Sequence, residues 1–154
     1  NKGYILRKTL LAVLVVAFPM VASGQTSQCL FTPEELGATF GVRFASGVEG
    51  KDRLKNGFCD YAVIGGPRPA RVQVRIESRM NAERFAQLRK MRVMVTGKEY
   101  DLPGVGDGAF SNGGMYAALK GAKSVEIGGF RTATQRVIPR EEGIKLLKLA
   151  LERI

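Results

Sequence analysis

Apolar and polar residues alternate most regularly between Arg71 and Glu77. Val72, Val74 and Ile76 fall on one side of an extended chain, and Arg71, Gln73, Arg75 and Glu77 on the other. That period of two predicts a strand with one face in the core and one in water. The preceding run, Phe58 to Ile64, is almost continuously apolar and is bounded by Gly57 and by Gly65-Gly66-Pro67. It predicts a mostly buried strand with Cys59, Tyr61 and Val63 facing one way and Phe58, Ala62 and Ile64 the other. The Gly65–Pro69 connection is short enough to make the two strands an antiparallel pair.

Helix signals flank this pair. Thr32-Pro33-Glu34-Glu35 combines a capping threonine, a proline suited to the first helical position and a glutamate that closes a capping box. Leu36 and Phe40 then share a face, and Gly41 ends the helix. Asn81 caps a second helix whose expected inward stripe is Phe85, Leu88 and Met91, with Arg84, Arg89 and Lys90 outside and Gly97 as its stop. Pro139-Arg140-Glu141-Glu142 opens a third, with Ile144, Leu147, Leu151 and Ile154 inward. Met115 to Leu119 and Ser124 to Ile127 flank Lys120-Gly121-Ala122-Lys123, a hairpin pattern. Residues 45–57 and 97–114 show no period and are expected to be loops. The order α-β-β-α-β-β-α predicts an α+β domain, an antiparallel sheet of four to five strands with helices packed on one face.

The first two dozen residues stand apart. Lys2, Arg7 and Lys8 precede an apolar stretch from Thr9 to Phe18, then Pro19 and the small residues Ala22-Ser23-Gly24. This is the layout of an export signal, residues 1–24, cleaved before Gln25, with residues 25–154 as one secreted domain. The stretch is too short to span a bilayer comfortably, and the mature chain is expected to have no transmembrane segment. Losing three basic residues takes the formal charge from +10 to +7. The expected location is periplasmic or secreted.

Export changes how the two cysteines are read. Cys29 and Cys59 are an even pair in an oxidising compartment and are expected to form a disulfide. Closing a loop of roughly 30 residues stabilises by about 3–4 kcal/mol in the chain-entropy picture. A lipid anchor at Cys29 is the rival reading, but Thr26-Ser27-Gln28 lacks the aliphatic and small residues of a lipobox. Metal binding is a second rival, and two cysteines without any histidine make a poor ligand set.

Chemistry is sparse. With no histidine, Ser–His and Cys–His nucleophile systems are excluded. Gly104-Val105-Gly106-Asp107-Gly108-Ala109 matches a dinucleotide-binding string, but Phe110-Ser111-Asn112-Gly113-Gly114 is a poor helix and Pro103 precedes it. Gly104, Gly106, Asp107 and Gly108 are therefore expected to make a structural turn, and no cofactor is expected. Asp101 and Asp107 could converge as a carboxylate pair or calcium site, but no run of alternating Asp/Asn ligands supports that, and turn-forming aspartates are expected. The glutamates of Glu34-Glu35 and Glu141-Glu142 answer helix dipoles.

Basic residues crowd one stretch: Arg68, Arg71, Arg75, Arg79, Arg84, Arg89, Lys90 and Arg92 outnumber Glu77 and Glu83. Arg71 and Arg75 are expected side by side on the wet strand face, with Arg84 and Arg89 extending the charge onto the helix. Such a face is either plain solvation or a contact for anionic envelope components such as lipid head groups or peptidoglycan carboxylates. No aromatic platform is interleaved among the arginines, so dedicated nucleic-acid binding is not expected.

Cys29-Leu30-Phe31-Thr32-Pro33-Glu34-Glu35, Cys59-Asp60-Tyr61, the Gly104–Ala109 turn, Tyr116 to Lys120-Gly121 and the final amphipathic helix occur in an order that resembles a loose group of small bacterial secreted proteins and lipoproteins of unknown function. The resemblance spans nearly all of the mature chain. It implies compartment, disulfide and fold, and it assigns no catalytic residue. Many members are lipid-anchored; this chain lacks the lipobox, which implies a soluble periplasmic state. The functional expectation is an extracytoplasmic binding or interaction module without catalytic activity, its partner an envelope protein or anionic envelope component. The alternatives are a carrier of a small apolar ligand or lipid, and an enzyme using carboxylates of the 97–114 loop.

Overall fold

Local chemistry sets the helix ends. In the computed structural model, which describes residues 27–65, 70–130 and 138–154, helix α1 runs Pro33–Phe40. Its capping box is complete: Glu35 N donates to Thr32 Oγ1 at 3.2 Å and Thr32 N donates to Glu35 Oε2 at 2.9 Å. Helix α2, Ala82–Thr96, starts where Asn81 Oδ1 accepts from Arg84 N at 2.8 Å and stops at Gly97. Helix α3 spans Arg140–Arg153. The expected leader, its cleavage before Gln25 and the basic residue Arg68 lie outside the described residues.

The strands are β1 Val48–Lys51, β2 Gly57–Ala62, β3 Arg71–Glu77, β4 Tyr100–Asp101, β5 Gly108–Ser111, β6 Met115–Lys120 and β7 Lys123–Phe130. They form one sheet in the order β1-β2-β3-β7-β6-β5-β4, and every neighbouring pair is antiparallel. The α+β class holds, with seven strands among the described residues where four to five were expected. Three strands fall inside segments read as loops: β1 and β4, which form the sheet's edges, and the four-residue β5 between β4 and β6. β1 shows no alternation because it is mostly exposed, with Val48 68% accessible, and is held by backbone pairing to β2. β4 has only two residues, too few for a period to show.

Two faces of the sheet are covered, not one. A row across the sheet, Cys59–Val74–Ile127–Tyr116, packs with Leu36 of α1 and Leu146, Leu147 and Ala150 of α3. The opposite face carries a second cluster of Met80, Phe110, Met115, Ala117 and Leu119, closed by Phe85 and Leu88 of α2. Phe85 and Phe110 stand 5.5 Å apart between ring centroids. The reason lies in β6, where Met115 to Leu119 are all buried. A strand apolar at every position needs cover on both sides.

The packed stripes also differ in detail from the periodic reading. β2 buries Cys59 and Tyr61 while Ala62, and Ile64 just beyond the strand, remain exposed, so it is a half-buried strand. In α3 the buried residues are Gly143, Leu146, Leu147, Ala150 and Leu151. Ile144 and Ile154 sit at the margin of the core. Met91 of α2, expected inward, is 58% exposed.

Two long-range ties close the α1–α3 side. Cys29 and Cys59 are disulfide-bonded with Cα atoms 5.1 Å apart. Arg153, at the end of α3, donates to Glu35 through both terminal nitrogens, to Leu30 O, and lies 6.0 Å from the Phe31 ring. Those guanidinium hydrogen bonds, with the backbone N–H of Thr32, hold the Glu35 carboxyl down at about 2, from an ordinary 4.5. A carboxyl lowered on folding stabilises above its unfolded value and loses that contribution as pH falls through its folded value. The margin of wild type over Arg153→Met is thus expected to vanish between pH 4.5 and about 2. Each side chain is 32% exposed, so the margin at neutral pH should stay below about 1 kcal/mol. Thermal midpoints of the two proteins across that range check this; a gap that persists at pH 2 would refute it.

Candidate functional site

The arginines of β3 project from the face that α2 partly covers. Arg71 and Arg75 share that face, but Gln73 lies between them, and four residues of strand separate them by about 13 Å. They are not side by side. Asp60 of β2 binds two of the three: Oδ2 accepts from Arg71 Nη1 at 3.3 Å and Oδ1 from Gln73 Nε2 at 2.9 Å. Arg75 Nη1 donates to Asp52 Oδ2 at 2.8 Å. Asp52 also closes the β1–β2 turn, accepting from the backbone N–H groups of Leu54 and Asn56 at 2.9 Å. Desolvation pushes its carboxyl up, and the hydrogen bonds from Asn56, Arg75 and Leu54 outweigh it, leaving the group below its ordinary value.

A second row runs beneath α2: Arg75, Glu126, Ala117, Phe110 and Asp101 are successive register partners across β3, β7, β6, β5 and β4. Two arginines of α2 reach down to it. Arg92 Nη2 donates to Glu126 Oε2 at 2.8 Å. Arg89 lies 5.8 Å from the Phe110 ring, donates to Asp101 Oδ1 at 3.3 Å and pairs with Glu99. The basic strand and basic helix therefore meet at Glu126, through Arg92. Arg84 is exposed and donates to Arg79 O. Of the four arginines proposed from sequence, Arg71, Arg75 and Arg89 stand against carboxylates, so much of this face's charge is locally balanced.

The glycine turn grips the β6–β7 hairpin. Gly104 and Gly106 have φ of 76° and 59°. A Cβ on Gly106 would lie 2.4 Å from Leu119 O, so both its backbone angle and its closeness require glycine. Asp107 N donates to Leu119 O at 2.8 Å, and Asp107 Oδ2 accepts from Gly121 N at 2.6 Å. Gly108 starts β5. Asp107 and Asp101 are thus engaged with different partners. Among the described residues, no group of three or more His, Cys, Asp or Glu is placed to hold a metal ion.

What sequence reasoning missed is the outer side of α2. Met94 is 85% and Val95 84% exposed, beside Met91 at 58%. At spacings of three and four residues, these side chains form one patch on the helix surface. Phe85 is the helix's one fully buried residue. Next to Met94, a groove of about 490 Å³ is lined by Ala86, Arg89, Lys90, Val93, Met94 and Glu99. A signal was present in the chain: Leu88, Met91, Val93, Met94 and Val95 are more apolar residues than one inward stripe can hold. Among the described residues no helix is long and apolar enough to cross a membrane. No protein-family model matches the chain, and no curated protein or solved structure matches it either.

Proposed function

We propose that this chain is an extracytoplasmic interaction module without catalytic activity, and that its contact surface is the outer side of α2. The observation that carries the reading is the contiguous exposure of Met91, Met94 and Val95 on a helix anchored through Phe85 and a few ion pairs. Apolar side chains grouped in water gain free energy when a partner covers them. The Cys29–Cys59 bond is compatible with an oxidising compartment. Asp101 and Asp107 serve as acceptors for Arg89 and for Gly121 N, which favours a structural use of these carboxylates over a catalytic one.

The test is a photo-crosslinking amino acid at position 94, compared with one at Lys148 on the exposed side of α3, in cells that export the protein. A crosslinked product, to protein or to lipid, is expected at position 94 and not at 148. Equal labelling at both positions, or none at 94, would remove α2 as the contact surface.

A further inference from the structure

We infer that the surface covered by α2 is an anionic phospholipid bilayer, with Met91, Met94 and Val95 entering the acyl boundary and Lys90, Lys98, Arg84 and Arg79 on the phosphates. This rests on the interaction reading above and specifies its partner. The charge pattern carries the argument. α2 and its two flanks, residues 79–98, hold six basic residues and one acidic residue, Glu83. Two of the six, Arg89 and Arg92, are paired inward with Glu99, Asp101 and Glu126. The side chains of Arg79, Arg84, Lys90 and Lys98 have no carboxylate partner among the described residues.

The unpaired cations border the apolar patch. Lys90 lies one helical turn before Met94, Arg84 two turns before Met91 on the same side, and Lys98 just past the helix end. A helix lying in an interface has that layered chemistry, hydrocarbon beneath and phosphate along the rim, with the lysine stems lying over apolar groups while their ammonium groups reach outward. The patch is made of side chains on little more than one turn, and the groove beside it is open to solvent. A protein hot spot needs a rigid, fully enclosed anchor; a fluid bilayer needs none, and flexible methionines conform to it readily. The carboxylate-paired arginines of β3 contribute little here, so the membrane contact belongs to α2.

The experiment uses the exported, processed protein, so that the apolar leader does not contribute. Its sedimentation is measured with vesicles of phosphatidylcholine alone and of phosphatidylcholine containing about one third phosphatidylglycerol. Binding is expected to the anionic vesicles only, and to weaken strongly at roughly 0.5 M salt, where screening confines the field to a few ångströms. Lys90→Glu/Lys98→Glu should lower the partition coefficient by more than about 25-fold, since each cation near an anionic surface contributes about fivefold. Met94→Gln/Val95→Gln should lower it by about tenfold or more through lost apolar insertion. All four residues are exposed, so circular dichroism and melting of both variants should match wild type.

Equal binding of wild type to neutral and anionic vesicles, or wild-type binding by both variants, overturns the inference. No vesicle binding together with a protein product from the position-94 crosslinker also overturns it, while the interaction reading stands. No vesicle binding and no crosslink removes both.

Discussion

Replacing both cysteines, Cys29→Ala/Cys59→Ala, is expected to lower the stability of the domain by about 3–4 kcal/mol. The bond closes 30 residues that are otherwise held to the sheet by few contacts. Those contacts include a hydrogen bond from Phe31 N to Tyr61 Oη at 2.9 Å, the Phe44–Val63 bridge, the edge pairing of β1 and the Asp52–Arg75 pair. Within the loop, Phe31, Leu36 and Phe44 are core residues, so loosening it costs packing as well as chain entropy. Gly47 lies directly over the bond. A Cβ there would sit 2.5 Å from Cys59 Sγ and 2.9 Å from Cys29 Sγ, which shows how closely the loop is drawn onto it. For a domain whose total stability is on the order of 5–15 kcal/mol, such a loss is large. Urea midpoints of oxidised wild type, reduced wild type and the double variant check it. The last two should coincide well below the first, and a difference under about 1 kcal/mol would mean that the bond is dispensable.

The second large effect is expected at Gly143, in the first turn of α3. A Cβ at this position would lie 2.4–2.5 Å from three carbons of the Tyr116 ring. That ring cannot swing aside freely, because Tyr116 Oη donates to Ile138 O at 2.9 Å in a buried site. Burial also pushes the Tyr116 hydroxyl above its ordinary value. In an open helix, glycine to alanine would stabilise by about 1 kcal/mol. Here the overpacking should reverse that sign, to a net loss of about 1–2 kcal/mol for Gly143→Ala and about 3 kcal/mol for Gly143→Val. Shortening the ring in Tyr116→Leu should make Gly143→Ala less harmful, with a coupling of about 1 kcal/mol or more in a double-mutant cycle. A Gly143→Ala protein more stable than wild type would show that α3 slides away from the ring at little cost.

Both effects depend on close approaches that no local pattern announces. The α2 surface shows the same division between pattern and packing. Helix α2 could be read from Asn81 and Gly97, because a cap and a stop act on the backbone within a turn. Which of its apolar residues face inward could not, because Leu88, Met91, Val93, Met94 and Val95 surround the helix axis and satisfy several stripes at once. The sheet beneath it made the choice. Phe110 and Leu119 accept Phe85 and Leu88, while Arg89 and Arg92 reach Asp101 and Glu126. That arrangement turns Met94 and Val95 outward. The arginines of β3 were likewise legible as a wet face, but their partners were not. Asp52 lies 23 residues from Arg75, and Glu126 lies 34 from Arg92.

By itself, the sequence determined the features whose causes are short-ranged. These are the capping box of Thr32 and Glu35, the alternation of Arg71 to Glu77, the tight Gly121-Ala122 hairpin, and a bond between two cysteines that had only each other. Each follows from interactions within a few residues or from simple counting. The tertiary structure alone decided that β1, β4 and β5 bring the sheet to seven strands, that helices cover both faces, and that Arg153 closes on Glu35 across 118 residues of chain. Edge strands are held by backbone hydrogen bonds that leave no mark on side-chain pattern. Ion pairs and packed faces are set by the register of distant strands, and register is a property of the assembled sheet.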